Sequence, residues 1–455
     1  MKSMRKILLL FFITIFVSCK VFAFNLTLPT EKKFTVNTQY AFFVGKANKT
    51  EAITINDEKI HVASNGAFAH SVKLKDGENR IIIRSNFSRT IYKIYKNKSL
   101  PIEKPQLIEF EPANYIVLKD NTPLRSTPID YGMNRISHLF KDTNLIINGE
   151  QGEFYRVFLS KDKTAWIAKN AVQKFNFNSE VKFYTMDSKT FKNASEHVIE
   201  FSEKLPYTIE ENAKEIIFRV YNPYSAEESV YTINIRKPEK YKYKTILCNG
   251  TYKFKVNSLP VPETKTLDGI TIVVDAGHGG SERGAIGCLG DKEKDINLSI
   301  ALELQEILKI MGANVIMTRE CDGNVDLEER TNIAKNSCAD VFVSIHLDSI
   351  GDIKMDIHKN RGTTVYYYNK NSKELAKIVE DYITSENNTK KNGIKTASFA
   401  VLRPTEYVGI LVETLYMTNP LDSVMYKTEN FPRNIAKSIA NGILCYFTQD
   451  EMKNK

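Results

Sequence analysis

TIVVDAGHGG, residues 271–280, sets the reading of this chain: an apolar β-branched run, an aspartate, then a histidine set among glycines. A short apolar run that ends in a Gly-rich break predicts a buried parallel strand over 270–275, with His278 just past its carboxyl end. The string VFVSIHLDS (341–349) repeats the pattern and puts His346 at the carboxyl end of a strand over 341–345. A third run, 408–412, leads into GILVET (409–414), so that Glu413 follows the strand at once. Between the first two, Ile296, Ile300, Leu304, Ile307, Leu308 and Met311 recur at helical spacing and stop at Gly312, a good terminator. Glu293, in DKEKD (291–295), is expected just before that helix, with Asp295 as its cap. Strands alternating with helices predict a mostly parallel α/β sheet flanked by helices, and ligands of such sheets gather outside the carboxyl ends of the strands. The four strings are therefore expected to converge on one edge. His278, Glu293 and His346 form the two-imidazole, one-carboxylate set that Zn²⁺ uses when one position is left open for water, and Glu413 is a candidate base.

These strings resemble the zinc-dependent N-acetylmuramoyl-L-alanine amidases of family 3. The likeness covers residues 268–449. It rests on DAGHGG with the following GAIG, the Glu-Lys pair at 293–294, TRECD with DLEER after it, ADVFVSIH, ASFAVLR, ILVET, and the Asn-Pro at 419–420. The resemblance implies zinc held by His278, Glu293 and His346, a catalytic role for Glu413, and cleavage of the amide between N-acetylmuramic acid and the first alanine of the peptidoglycan stem. Glu282 stands where the family commonly has Asp, and Asp348 where it usually has Asn. Neither position is a family metal ligand, so tuning of the site is implied rather than its loss. Members controlled by the division machinery carry a long insertion with an inhibitory helix after the second histidine strand. Here only residues 347–361 precede the strand-like TTVYYY (363–368), too short for such a helix with its linkers, and a site that is not blocked from within is expected.

Other readings attach to the same residues. DAGHGG lacks both a GK[ST] ending and a GxGxxG, which makes it a poor phosphate loop. Glu413 has a rival role as the ion-pair partner of a base such as Arg403. Arg283 and Arg319 stay open between substrate carboxylates and surface pairs. His61, His70, His138, His197 and His358 read as structural. The ligand set also suits a zinc peptidase acting on stem peptides. A third reading is a non-catalytic cell-wall-binding protein with a decayed amidase fold, against which the intact ligand set and Glu413 weigh.

The amino terminus addresses the protein. Lys2, Arg5 and Lys6 precede an apolar stretch over 7–17, and Val21-Phe22-Ala23 follows as a small-residue cleavage site, so residues 1–23 read as a secretory signal peptide. The stretch is too short for a comfortable span. Export to the periplasm or cell envelope is expected, with a loose lipoprotein box at 16–19 making Cys19 an alternative lipid anchor. Five cysteines would remain after cleavage at Ala23, an odd number with no CxxC pair, which indicates neither a disulfide framework nor a thiolate zinc site. A formal charge of +9 suits anionic wall polymers or lipid head groups, and a lysine-rich genome accounts for it equally. No basic block with stacked aromatics argues for nucleic acid. Oligomeric state is unread.

The expected architecture is multidomain, with three small all-β domains before the α/β domain. Residues 24–98 resemble immunoglobulin-like modules of bacterial surface proteins. Residues 110–175 resemble a bacterial SH3-like barrel through Leu124 to Pro128, Tyr155 and Trp166-Ile167, with Trp166 read as core. Residues 176–262 form a third β-rich segment, either a spacer or a wall-attaching domain.

Overall fold

The computed structural model describes residues 24–448 apart from 87, 99–104, 178–179 and 351–359. The signal peptide, Cys19, His358 and most of the short segment after the second histidine strand lie outside the described residues. Among the described residues no helix is long and apolar enough to cross a membrane.

Residues 271–448 build a six-stranded sheet. Strands β1 (Thr271–Ala276), β2 (Asn314–Met317), β3 (Val341–Asp348), β4 (Thr363–Tyr367), β5 (Lys391–Thr396) and β6 (Val408–Tyr416) lie in the order β2-β1-β3-β6-β4-β5. β2, β1, β3 and β6 run parallel, and β4 enters antiparallel to β6 with β5 parallel to it. Helices α1 (Glu293–Ile310), α3 (Lys373–Asn387) and α4 (Phe431–Thr448) cover one face, where Ile300, Leu304, Val379, Ile439 and Ile443 pack on Ile272, Val274, Val343, Ile345 and Val412. The opposite face packs Val273, Phe342 and Leu411 against Ala334 of α2 (Leu327–Asn336), Val401, Leu402 and Tyr407.

Two strands run further than the apolar runs suggest. β3 continues through His346 to Asp348 and β6 through Glu413 to Tyr416, because His346 pairs with Glu413 and, after a bulge, Asp348 pairs with Tyr416. His346 and Glu413 are thus neighbours across two parallel strands and share one face of the sheet. α1 starts at Glu293 itself rather than beyond it, and Asp295 is not its cap. Lys292 occupies the cap position without a side-chain bond, and the first helical amides are satisfied by the preceding loop, Glu293 N to Ala285 O at 3.0 Å and Lys294 N to Arg283 O at 3.2 Å. Gly312, at φ +95°, ends the helix, with its amide returning to Lys309 O.

Among the described residues before 265 there is no α-helix, only strands, their connections and short 3₁₀ segments. Residues 24–96 form a three-stranded and a five-stranded sheet around Phe43, Ile53, Phe68, Ile83 and Ile94. Residues 108–174 form one seven-stranded sheet in which Trp166 is buried. Residues 183–258 form a four-stranded and a three-stranded sheet. One continuous apolar cluster runs through the last two segments, from Val117 and Ile167 to Phe218 and Val256.

The β segments also pack on the α/β sheet. Val44, Ala63, Ala67 and Ala69 bury Cys288, Ile350 and Tyr416, while Thr27 Oγ1 donates to Cys288 O at 3.1 Å and Asn65 Nδ2 to Ser423 Oγ at 3.0 Å. Lys242 Nζ reaches Asp340 at 2.8 Å, and Asn371 Nδ2 donates to Tyr241 O at 3.0 Å.

Candidate metal centre

The loop after β1 brings His278 to the sheet edge by a backbone that only this sequence tolerates easily. His278 itself sits at φ +60°, and Gly279 and Gly280 follow at +136° and +57°. A side chain other than glycine's at 280 would strike Asn324. For a histidine the left-handed region costs roughly 1–2 kcal/mol, so something must hold it there.

That hold is a buried polar network under the loop. Asp275, 1% exposed in the middle of an apolar strand, accepts from Thr318 Oγ1 at 2.7 Å, Ser344 Oγ at 2.6 Å and Arg330. Arg330 in turn donates to Ala276 O at 2.9 Å and His278 O at 2.8 Å. Arg319 donates to Ala276 O at 2.8 Å, Gly277 O at 3.0 Å and Lys294 O at 2.9 Å. Arg319 is therefore neither a surface pair nor a substrate clamp: it is buried and spends its donors on loop carbonyls. Arg283 is exposed.

The side-chain atoms of His278, Glu293 and His346 that could hold a metal lie within 4.8 Å of one another. Glu293 Oε2 is 3.1 Å from His278 Nε2, and Oε1 is 2.9 Å from His346 Nδ1. The imidazoles stand edge-on with centroids 4.9 Å apart. Ala285 N (2.8 Å) and Leu347 N (3.2 Å) also donate to the Glu293 carboxylate, as does Asn297 Nδ2 (3.2 Å). Burial opposes charge on Glu293, but the hydrogen bonds and charge of the two histidines outweigh it and hold this carboxyl well below the usual range. The Glu293 side chain is 5% exposed against 29% and 18% for His278 and His346, which leaves the imidazole side open to solvent.

Glu413 lies beside His346 on the next strand. Its Oε2 is shielded from solvent and has no hydrogen-bond partner among the described residues. Burial, then the charges of Asp348 and Glu293, push its carboxyl well above the ordinary value. Arg403 does not pair with it, donating instead to Ser398 Oγ at 3.1 Å and Ser398 O at 2.9 Å. Asp348 is raised as well, by burial and by Glu293, against the stabilising bonds from Tyr416 and the Ser349 amide. A buried carboxylate left without a partner is costly unless a charge or a proton compensates it, so three carboxyls around two imidazoles suit a bound cation. The donor set of two imidazole nitrogens and a carboxylate oxygen fits zinc.

The same segment is similar to known proteins. The family model described as N-acetylmuramoyl-L-alanine amidase matches residues 272–445. Over 187 residues the chain is 35% identical to the "Uncharacterized protein YqiI" of Bacillus subtilis, covering 40% of this chain and 87% of that protein. Over 191 residues it is 37% identical to the "Probable cell wall amidase LytH" of Staphylococcus saprophyticus, covering 41% of this chain and 62% of LytH, under two thirds of its length. Among solved structures, the catalytic domain of CwlV, an N-acetylmuramoyl-L-alanine amidase from Bacillus (Paenibacillus) polymyxa var. colistinus, is 34% identical over 39% of this chain and 97% of its own, with a TM-score of 0.36. The chain belongs to the N-acetylmuramoyl-L-alanine amidase family.

Sequence reasoning missed Asp275, Asn297 and Arg330, which hold the His278 loop and the Glu293 carboxylate. An aspartate inside an apolar strand is the one local signal that pointed to the network.

Proposed function

We propose that this chain is a zinc-dependent peptidoglycan hydrolase that cleaves the amide between N-acetylmuramic acid and L-alanine of the stem peptide, working in the cell envelope. The observation that carries the reading is the convergence of His278, Glu293 and His346 within 4.8 Å, with the shielded, unpartnered Oε2 of Glu413 on the adjacent strand. Zinc held by that set supplies a Lewis acid that polarises a carbonyl and lowers the pKa of water towards ~7.

The chain's own residues do the rest. With a cation bound beside it to offset its burial, Glu413 would be ionised, accept the proton of the attacking water at Oε2 and pass it to the alanine nitrogen as the C–N bond breaks. Glu293 keeps its charge for ligation because its histidine partners and backbone donors favour the anion. Arg330 and Arg319 fix the carbonyls of residues 276–278, so the His278 ring is placed before substrate arrives. No cysteine or serine nucleophile is required.

The test is metal content. Purified protein should carry one zinc per chain, lost in His278→Ala and in His346→Ala with the circular dichroism spectrum retained. Unchanged zinc content in both variants would contradict the assignment.

A further inference from the structure

The seven-stranded segment over 108–174 meets the catalytic domain at the loop after β5. Ser398, in the loop after β5, packs on Gly132 so tightly that a Cβ on that glycine would lie 2.6 Å from Ser398 Cβ. Arg403 holds the same serine. Across the junction Arg125 ties down the Gly132 loop through Tyr131 O and Asn134 Oδ1, both at 2.9 Å, and takes Asp130 as its carboxylate. Arg135 follows that loop directly, and its Nε is shielded without an acceptor among the described residues. Three guanidinium groups from two segments thus crowd one junction, and the carboxylate of Asp130 there is taken by Arg125. Among the described residues no carboxylate forms an ion pair with Arg135 or Arg403. Burial, then the neighbouring arginines, lower the pKa of Arg135 and of Arg403, and burial with the same arginines pushes His138 down to about 4. Half-buried like charges without a counter-charge are costly, and an anion is what this junction lacks.

The junction is connected to the catalytic site by β4. Thr364 pairs with Glu413 and Tyr366 with Leu411, and Tyr366 stands edge-on to the exposed ring of Phe399 at 5.2 Å. Tyr368, two residues on, feels the charges of Arg135 and Arg403. The four steps from Thr364 to Tyr368, which lies just past the end of β4, span about 13 Å. An extended peptide whose first amide lies at Glu413 covers that distance in about four residues.

We propose that Arg135 and Arg403 form a subsite for the free carboxylate at the far end of the stem peptide, so that stems whose terminal carboxyl is not tied up in an amide are preferred. This rests on the reading that the site cleaves the stem at its first amide. A planar guanidinium pairs two-pronged with a carboxylate and gains much less from a neutral carboxamide.

The experiment compares two muramyl tetrapeptides that differ only at the carboxyl terminus, free acid against carboxamide. It uses the zinc-loaded full chain for hydrolysis and calorimetry on Glu413→Gln for binding. The wild type should show a KM about tenfold lower for the free acid with similar kcat, the scale of one charge-assisted pair. Arg135→Ala should raise the free-acid KM to that of the amide and leave the amide unchanged, with Arg135→Lys recovering part of the difference. Equal KM for the two substrates in the wild type overturns the proposal, and this comparison needs no variant to fold. Inhibition by inorganic phosphate that depends on Arg135, with both stem ends treated alike, would reassign the junction to a phosphate polymer and also overturn it. If neither substrate is hydrolysed, the amidase reading fails alone provided calorimetry still favours the free acid; equal binding of both ends sinks the subsite.

Discussion

Gly277 faces the ring of His346 so closely that a Cβ there would lie 2.3 Å from both Cε1 and Nε2. The glycine before His278 is thus required by the other histidine, not by its own backbone. Gly277→Ala should push the His346 ring away from Glu293 and weaken zinc binding by roughly 10–100-fold, the scale seen when groups that orient a ligand are disturbed. Competition with a chromogenic chelator measures it; unchanged affinity would mean the ring moves freely.

The network beneath the loop should matter to stability as well as to the site. Arg330 and Asp275 are 4% and 1% exposed and pair directly. Arg330→Met leaves Asp275 buried and uncompensated, which costs about 3–5 kcal/mol. Urea denaturation should show that loss. A smaller loss, under about 1 kcal/mol, would mean that Thr318 and Ser344 alone satisfy the aspartate.

The contact between residues 24–96 and the catalytic sheet can be read at a single thiol. Cys288 is fully buried against Val44, Ala67 and Ala69, and burial pushes its thiol up to about 12. Val44→Asp places a charge in that contact. Labelling of Cys288 by a maleimide, followed by peptide mapping because Cys248, Cys321 and Cys338 are exposed, should accelerate at least tenfold. No change would show that the packing does not persist in solution.

Glu413 should leave a signature in the chelated protein. Its folded pKa is raised, by burial first and then by Asp348 and Glu293, so folding favours its neutral form. That contribution is complete below the unfolded value of about 4.3 and is lost as pH rises through the folded value. In the presence of a chelator Glu413→Gln should therefore melt above the wild type at neutral and alkaline pH, with the gap closing as pH falls towards 4. A gap independent of pH would count against the raised value.

How much of this was legible in the sequence depends on the range of the contacts involved. His278, Glu293, His346 and Glu413 sit in short strings whose strand and helix periodicity is local, and the structure brings the first three together with Glu413 on the neighbouring strand. Strand ends were misjudged because cross-strand pairing carries β3 to Asp348 and β6 to Tyr416, past the point where apolar residues stop. The start of α1 was misjudged for a related reason, since loop carbonyls of Arg283 and Ala285 take the role given to Asp295. Arg319 carried no local mark of its duty, as its acceptors at 276, 277 and 294 meet only in the fold. Contacts such as Gly132 with Ser398 and Val44 with Cys288 join residues more than two hundred positions apart and leave no trace in composition or spacing.

The most direct test of the central claim is digestion of purified peptidoglycan by the zinc-loaded protein, with mass spectrometry of what is released. The account predicts intact stem peptides that begin with a free alanine amine, absent with a chelator and absent with Glu413→Gln. Release of shorter peptides, or no release from protein that holds its zinc, would contradict it.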